Sequence, residues 1–135
     1  MYINKIIITI DSENDIIIAR KKAREVSEGL KFSSINRAKV LTAVSELSRN
    51  IYRYAGTGEL ELEILPERIK RGVKITASDK GPGIVDISKA MRKGYSTSGS
   101  LGAGIPGVKT IMDEFSLETS PGSGTQVTVV KWELL

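Results

Sequence analysis

The 135-residue sequence contains no cysteine and no histidine. Without thiols, neither a disulfide framework nor a thiolate metal site can form. Without imidazole, His-based acid–base catalysis, His-ligated zinc and phosphohistidine chemistry are excluded within this chain. Aromatic residues make up only 5% of the chain, which argues against a nucleic-acid surface built on stacked rings. No apolar run approaches the length of a membrane span. The opening "MYINKIIITIDS" alternates into charge and lacks a signal-peptide cleavage pattern, so it reads as a strand. The cytoplasm is the expected compartment, with no membrane and no nucleic acid among the expected partners.

What is present is a globular composition, 40% hydrophobic and 27% charged. It suits one domain spanning residues 1–135 with a core of its own. The net charge is +4 and unevenly spread: residues 1–67 carry ten basic and ten acidic side chains, residues 68–135 ten and six. The surplus lies in the half that holds a glycine-rich stretch, which suits a phosphate ligand.

The periodicities alternate along the chain. "INKIIITI" (3–10) is a β-branched strand. Ser12 caps a helix to about Leu30, with Ile16, Ile17, Ala19, Ala23, Val26 and Leu30 on its apolar side. A second helix from Ser33 or Ser34 to about Tyr54 carries the stripe Val40, Val44, Leu47, Ile51 and Tyr54. In "GTGELELEIL", Leu60, Leu62 and Ile64 alternate with Glu59, Glu61 and Glu63, the pattern of a sheet with one covered and one wet face. "PERIKRG" is a hairpin loop and "VKITASD" the returning strand. Helices are expected over about 86–93 and 105–114, then two strands around "SPGSGT". This order gives an α+β two-layer sandwich, a mixed, mostly antiparallel sheet covered on one face by helices.

"GYSTSGSLGAGIPGVKT" (94–110) holds five glycines in seventeen positions. A P-loop fails there, because Val108 separates Gly107 from Lys109 and one inserted residue turns a helix by about 100°. Gly102, Gly104 and Gly107 spell the dinucleotide fingerprint, but "YSTSGSL" precedes them instead of a buried strand. Other segments supply more. In "DKGPG" (79–83), Asp79 at a strand end is placed to accept from an exocyclic amine, and Gly81 and Gly83 let a flat base approach the backbone. An ordinary turn would read the same. In "ELSRN" (46–50), Glu46 and Asn50 project from one helical face. They suit a general base and a neutral oxygen ligand for Mg²⁺, although a Glu and an Asn so spaced more often just face solvent; here they lie at the margin of the buried stripe.

These pieces together with "GSGT" (122–125) resemble, in this order, the boxes of the Bergerat-fold (GHKL, HATPase) ATPases, the superfamily of gyrase, histidine kinases and MutL. "SELSRNIYRYAGTGELELE" and "GYSTSGSLGAGIPGVKTIMDEF" are similar to the stand-alone serine/threonine-protein kinases of bacterial partner-switching systems, the stressosome switch kinases. The resemblance implies ATP and Mg²⁺ as cofactors. It implies that Asp79 binds the adenine amino group, that Gly81 and Gly83 shape that pocket, and that Thr125 sits near the adenine. It further implies Asn50 as the Mg²⁺ ligand, Glu46 as the catalytic base, and Gly102, Gly104, Ile105 and Gly107 around the phosphates beneath a lid. Lys109 and Arg53 are either phosphate contacts or ordinary exposed helix charges. The implied partners are STAS-domain antagonist and scaffold proteins as substrates and a downstream PP2C-type phosphatase or similar effector. The alternative is an anti-sigma factor kinase, which carries the same boxes and binds a sigma factor.

Overall fold

The computed structural model describes residues 4–81 and 104–134. Five strands and three helices follow one another as β1 (Lys5–Ile10), α1 (Glu13–Gly29), α2 (Ser34–Tyr54), β2 (Gly58–Pro66), β3 (Lys70–Asp79), α3 (Gly104–Ile111), β4 (Glu114–Ser120) and β5 (Gly124–Leu134). The expected helix at 86–93, together with Gly83 and Gly102, lies outside the described residues.

The strands form one sheet in the order β1-β2-β3-β5-β4. A mixed sheet was the expectation, yet every described pair is antiparallel. The reason is the placement of β5. It runs opposite to both β3 and β4 and lies between them, so β3 and β4, which run in the same direction, never pair.

Register stacks the alternating residues of β2 into rungs that cross the whole sheet. Ile6, Leu62, Ile75, Val129 and Phe115 form one; Ile8, Leu60, Ala77, Val127 and Leu117 form the next. Leu60, Leu62, Ile75 and Val129 are buried under the helices, each worth about 1.5–3 kcal/mol as burial of a full aliphatic side chain. α2 supplies most of the covering layer, with Val40, Ala43, Val44, Leu47 and Ile51 at 2% exposure or less. α1 meets it through the small residues Ala19, Ala23 and Ser27.

Two expected core residues are corrected. Ile17 is 67% exposed, because it lies two residues, about 200°, from Ala19 on the helix. Tyr54 is 47% exposed in the last turn of α2, and Tyr52 takes the partly buried position instead. The third helix also stops at Ile111, short of the expected 114. There the Asp113 backbone N–H donates to the Val130 carbonyl at 2.9 Å, so sheet pairing captures the chain.

The helix starts are tied down by side chains. The Asp15 carboxylate accepts from the backbone N–H groups of Asp11 and Ser12 and from the Ser12 hydroxyl. Those bonds hold Asp15 below the ordinary aspartate range, while a side-chain hydrogen bond with Asp15, and then its negative charge, raise Asp11. At α2, the Ser33 hydroxyl accepts from the Asn36 N–H. The Glu133 carboxylate from β5 accepts from the Ser33 N–H at 2.6 Å and from the Asn36 amide at 3.1 Å. Chiefly through the Ser33 bond, Glu133 lies below the usual glutamate range. On the uncovered face, Trp132 lies over Gly72, where a Cβ would come within 2.7 Å of ring carbons, and Lys70 Nζ is 4.0 Å from the indole centroid.

Candidate functional site

The rung after Ile8–Leu60–Ala77–Val127 changes character. It reads Ile10, Gly58, Asp79, Thr125, Thr119 across β1, β2, β3, β5 and β4. Alternation aims these positions at the helical side, as it aims the two aliphatic rungs. A carboxylate and two hydroxyls thus stand where the sheet would otherwise continue its core. The Thr119 and Thr125 hydroxyl oxygens are 3.0 Å apart. Asp79 Oδ1 accepts from the Gly81 N–H at 2.9 Å, which folds the chain after β3 into a tight turn.

Glycines make this corner possible. A Cβ on Gly81 would lie 2.7 Å from Ala55 Cβ, so the turn rests directly on the C-terminal end of α2. A Cβ on Gly58 would lie 2.5 Å from the Ser78 carbonyl and 2.7 Å from Ile51 Cγ2. Gly124 has φ +96°, and a Cβ there would overlap the Asp79 carbonyl. Neither Gly58 nor Gly124 is among the site residues expected from the sequence; both stand in Gly-x-Gly turns, and only strand pairing shows that each flanks Asp79.

A cavity of about 590 Å³ opens here, with Asp79, Thr125, Gly58, Gly124 and Lys80 in its walls. It wraps around the strand ends onto the uncovered face through Glu59, Ser78 and Gln126, and Glu46 and Asn50 do not line it. We therefore assign to it only the corner around Asp79, because the remaining reactive groups sit on the helical side.

Those groups are on α2. Glu46 is 8% exposed, deeper than the margin of the stripe where the sequence puts it. Asn50, one turn on, is half-buried. Arg49 Nη1 donates to Glu46 Oε1 at 2.7 Å, a partner that the sequence reading missed although Glu-x-x-Arg is the spacing of a helical ion pair. From Glu46 to the Ala55–Gly81 contact is nine residues, roughly 13 Å along the helix axis at about 1.5 Å per residue. Glu46 and Asn50 are about 40° apart around α2, whereas Ala55, against which the Asp79 turn rests, is about 180° from Glu46, so the helix brings the first two together and sets the turn at its far end.

α3 packs against α2 through buried Pro106 and Val108. Its first turn contains Gly104 at φ +28°, Ile105 and Gly107, all half-buried. The leading amides of a helix have no intrahelical acceptor and attract anions. The other end is held by Lys131, 6% exposed, whose ammonium donates to the Ile111 carbonyl at 3.0 Å and to Asp113 Oδ1 at 3.2 Å. Lys131 escaped the sequence reading, since a lysine in a strand carries no mark of burial. Lys109 is exposed, with its ammonium 5.7 Å from the Phe115 ring centroid, and Arg53 is exposed in the last turn of α2.

Among the described residues, no three His, Cys, Asp or Glu side chains cluster as a metal cage. Mg²⁺ does not require one: it commonly keeps its waters and phosphate oxygens and takes one or two protein oxygens. The half-buried Asn50 amide is a donor of the kind such a site takes.

Comparison with known proteins bears on this geometry. Residues 11–131 match the family of histidine kinase-like ATPase domains. The chain is 51% identical over 125 residues to the serine/threonine-protein kinase RsbT of Bacillus subtilis (strain 168), covering 93% of this chain and 94% of that one. It is 35% identical over 100 residues to the anti-sigma F factor of Thermoanaerobacter sp. (strain X514), covering 70% and 69%. Among solved structures, the mycobacterial sensor histidine kinase MprB aligns with a TM-score of 0.55 at 14% identity, over 94% of this chain and 98% of that one, which speaks to the fold alone.

Proposed function

This chain belongs to the family of histidine kinase-like ATPase domains, and from that premise we propose that it is an ATP-dependent protein serine/threonine kinase of a partner-switching pathway. The observation that carries the proposal is the buried Glu46 carboxylate, one helical turn from Asn50 on the same side of α2. Among the described residues its ion-pair partner is Arg49, and a carboxylate so buried is unusual in a domain of this size; in this reading it is the group that meets the phosphoacceptor.

The roles follow from the chemistry of each group. Asp79 accepts from the exocyclic amine of adenine, with Thr125 beside it and Gly81 giving a flat base access to the backbone. The leading amides of α3, at Gly104, Ile105 and Gly107, bind phosphate oxygens, and Asn50 holds Mg²⁺. Gly83 and Gly102 complete these two groups in the proposal. Bound ATP and Mg²⁺ supply the transferable phosphoryl group and neutralise its charge. Glu46 takes the proton of the partner's serine or threonine hydroxyl, which makes that oxygen the nucleophile.

The proposed substrates are STAS-domain antagonist and scaffold proteins, and the proposed downstream partner is a PP2C-type phosphatase. The proposed compartment is the cytoplasm; among the described residues, no helix is long and apolar enough to cross a membrane. Incubation with Mg·ATP and a STAS-domain protein, followed by mass-spectrometric mapping, tests the activity: one phosphorylated serine or threonine on the partner is expected.

The similarity to anti-sigma F factors favours a second reading, a kinase that also holds a sigma factor. Affinity capture from cell extract separates the two. A sigma factor retained on the bait supports the second, and a STAS protein the first.

A further inference from the structure

The pair between Arg49 and Glu46 differs from an ordinary surface ion pair. Lys22 and Glu25 have the same i,i+3 spacing, but they are 3.8 Å apart and both side chains are about half exposed, at 46% and 54%. Such pairs contribute little. The Glu46 side chain is 11% exposed and its Oε1 lies 2.7 Å from Arg49 Nη1, whose side chain is 35% exposed. This is a charge-assisted bond to a carboxylate withdrawn from water, the kind whose loss leaves an uncompensated buried charge.

The geometry has a directional consequence. A carboxylate has two oxygens, and a helical glutamate can swing both by rotating its outer torsions. With Oε1 engaged by Arg49, rotation of the carboxylate is restrained, and Oε2 is the oxygen left to take a proton. Arg49 itself, one residue before Asn50 on α2, keeps about a third of its side chain exposed, at 35%.

We propose that Arg49 is a positioning residue for phosphoryl transfer: it pins Oε1 of Glu46 so that Oε2 faces the incoming hydroxyl, and it acts through Glu46 with no contact of its own to the phosphates. This rests on the reading of Glu46 as general base. The hydroxyl proton passes to Oε2, the hydroxyl oxygen bonds to the terminal phosphorus, and the bond from that phosphorus to the bridging oxygen breaks, with ADP departing.

A double-mutant cycle tests it, using Mg·ATP, a STAS-domain partner as acceptor, and kcat and KM for ATP as separate readouts. Arg49→Ala is expected to lower kcat roughly 10- to 100-fold, the range for a lost hydrogen bond to a charged group, with KM for ATP within about twofold. In a Glu46→Gln background, the same substitution is expected to change kcat by less than about twofold, because there is no carboxylate left to position. Arg49→Gln, which keeps the stem and a donor but not the charge, carries the same cycle where the alanine variant does not fold. Full-rate transfer by Arg49→Ala beside an inactive Glu46→Gln overturns the positioning role alone. Losses that add in the double variant, or a KM effect larger than the kcat effect, place Arg49 on the nucleotide and overturn it as well. Normal transfer by Glu46→Gln overturns both this role and the base assignment.

Discussion

Replacing Asp79 by asparagine changes one oxygen into an NH₂ group and removes one charge, at nearly constant volume. The turn that follows β3 needs only an acceptor at Oδ1 for the Gly81 N–H, 2.9 Å away. Asparagine retains that acceptor. Its amide nitrogen then occupies the second position, the one proposed to face the adenine amine, and presents a donor to a donor. A hydrogen bond to a charged group is worth about 1.5–3 kcal/mol. At about 1.4 kcal/mol per tenfold, the expected loss of ATP affinity is roughly ten- to a hundredfold. Stability should barely move, because the turn, the rung and the Gly81–Ala55 contact are all preserved. Calorimetric titration with Mg·ATP measures the first quantity and urea unfolding the second. Asp79→Ala is the control, since it loses the turn acceptor too and is expected to lower both. If Asp79→Asn binds ATP as tightly as the parent chain, the adenine does not sit at this corner.

Gly124→Ala should destabilise the fold by about 2 kcal/mol or more, combining a left-handed backbone penalty with overlap against the Asp79 carbonyl; an unchanged urea midpoint, read from the fluorescence of the single tryptophan, would remove the close β3–β5 approach from the account. Lys131→Met is expected to cost about 1–3 kcal/mol and to weaken ATP binding, since it frees the C-terminal end of α3. Unaltered nucleotide affinity in that variant would separate the lysine from the phosphate end. Glu133 has a folded pKa below its ordinary value of 4.5. Its contribution is therefore complete above that value and is lost as the pH falls through the lowered one, and Glu133→Gln should flatten this part of the acid limb of stability. The phosphorylated STAS partner should bind more weakly than the unmodified one, because a phosphate of about −1.5 to −2 charge would lie beside Glu46. Equal affinities by surface plasmon resonance would count against release by repulsion.

Much of the fold could be read before any coordinates. The strict Leu–Glu alternation of residues 59–64 identified the covered face of β2, and the stripe Val40–Ile51 identified the inward face of α2. Glu46, Asn50 and Asp79 could be proposed from the sequence because their spacing and flanking residues are local. What could not be read depends on pairing across long separations. Gly58 and Gly124 matter because both lie against Asp79, and that adjacency exists only once β2 and β5 have taken their registers with β3. The position of β5 between β3 and β4 is likewise a choice of topology that no short pattern encodes. Ile17 misled for the opposite reason: its apolar side chain suggests burial, and only its angle from Ala19 tells otherwise.

If nucleotide binds at the polar rung that ends the core, as proposed, its capture is also a check on folding accuracy. A strand that slips by one residue turns all its side chains to the other face. If β5 slipped by one against β3, Thr125 would leave Asp79 for the wet side, and Val127 and Val129 would be pulled out of the core with it. Binding at this corner then rewards only the chains whose strands are in register, and it lowers their free energy in proportion to the logarithm of ligand concentration. In a cell rich in nucleotide, the ligand would act as a proofreader of β-sheet alignment before it takes part in any transfer.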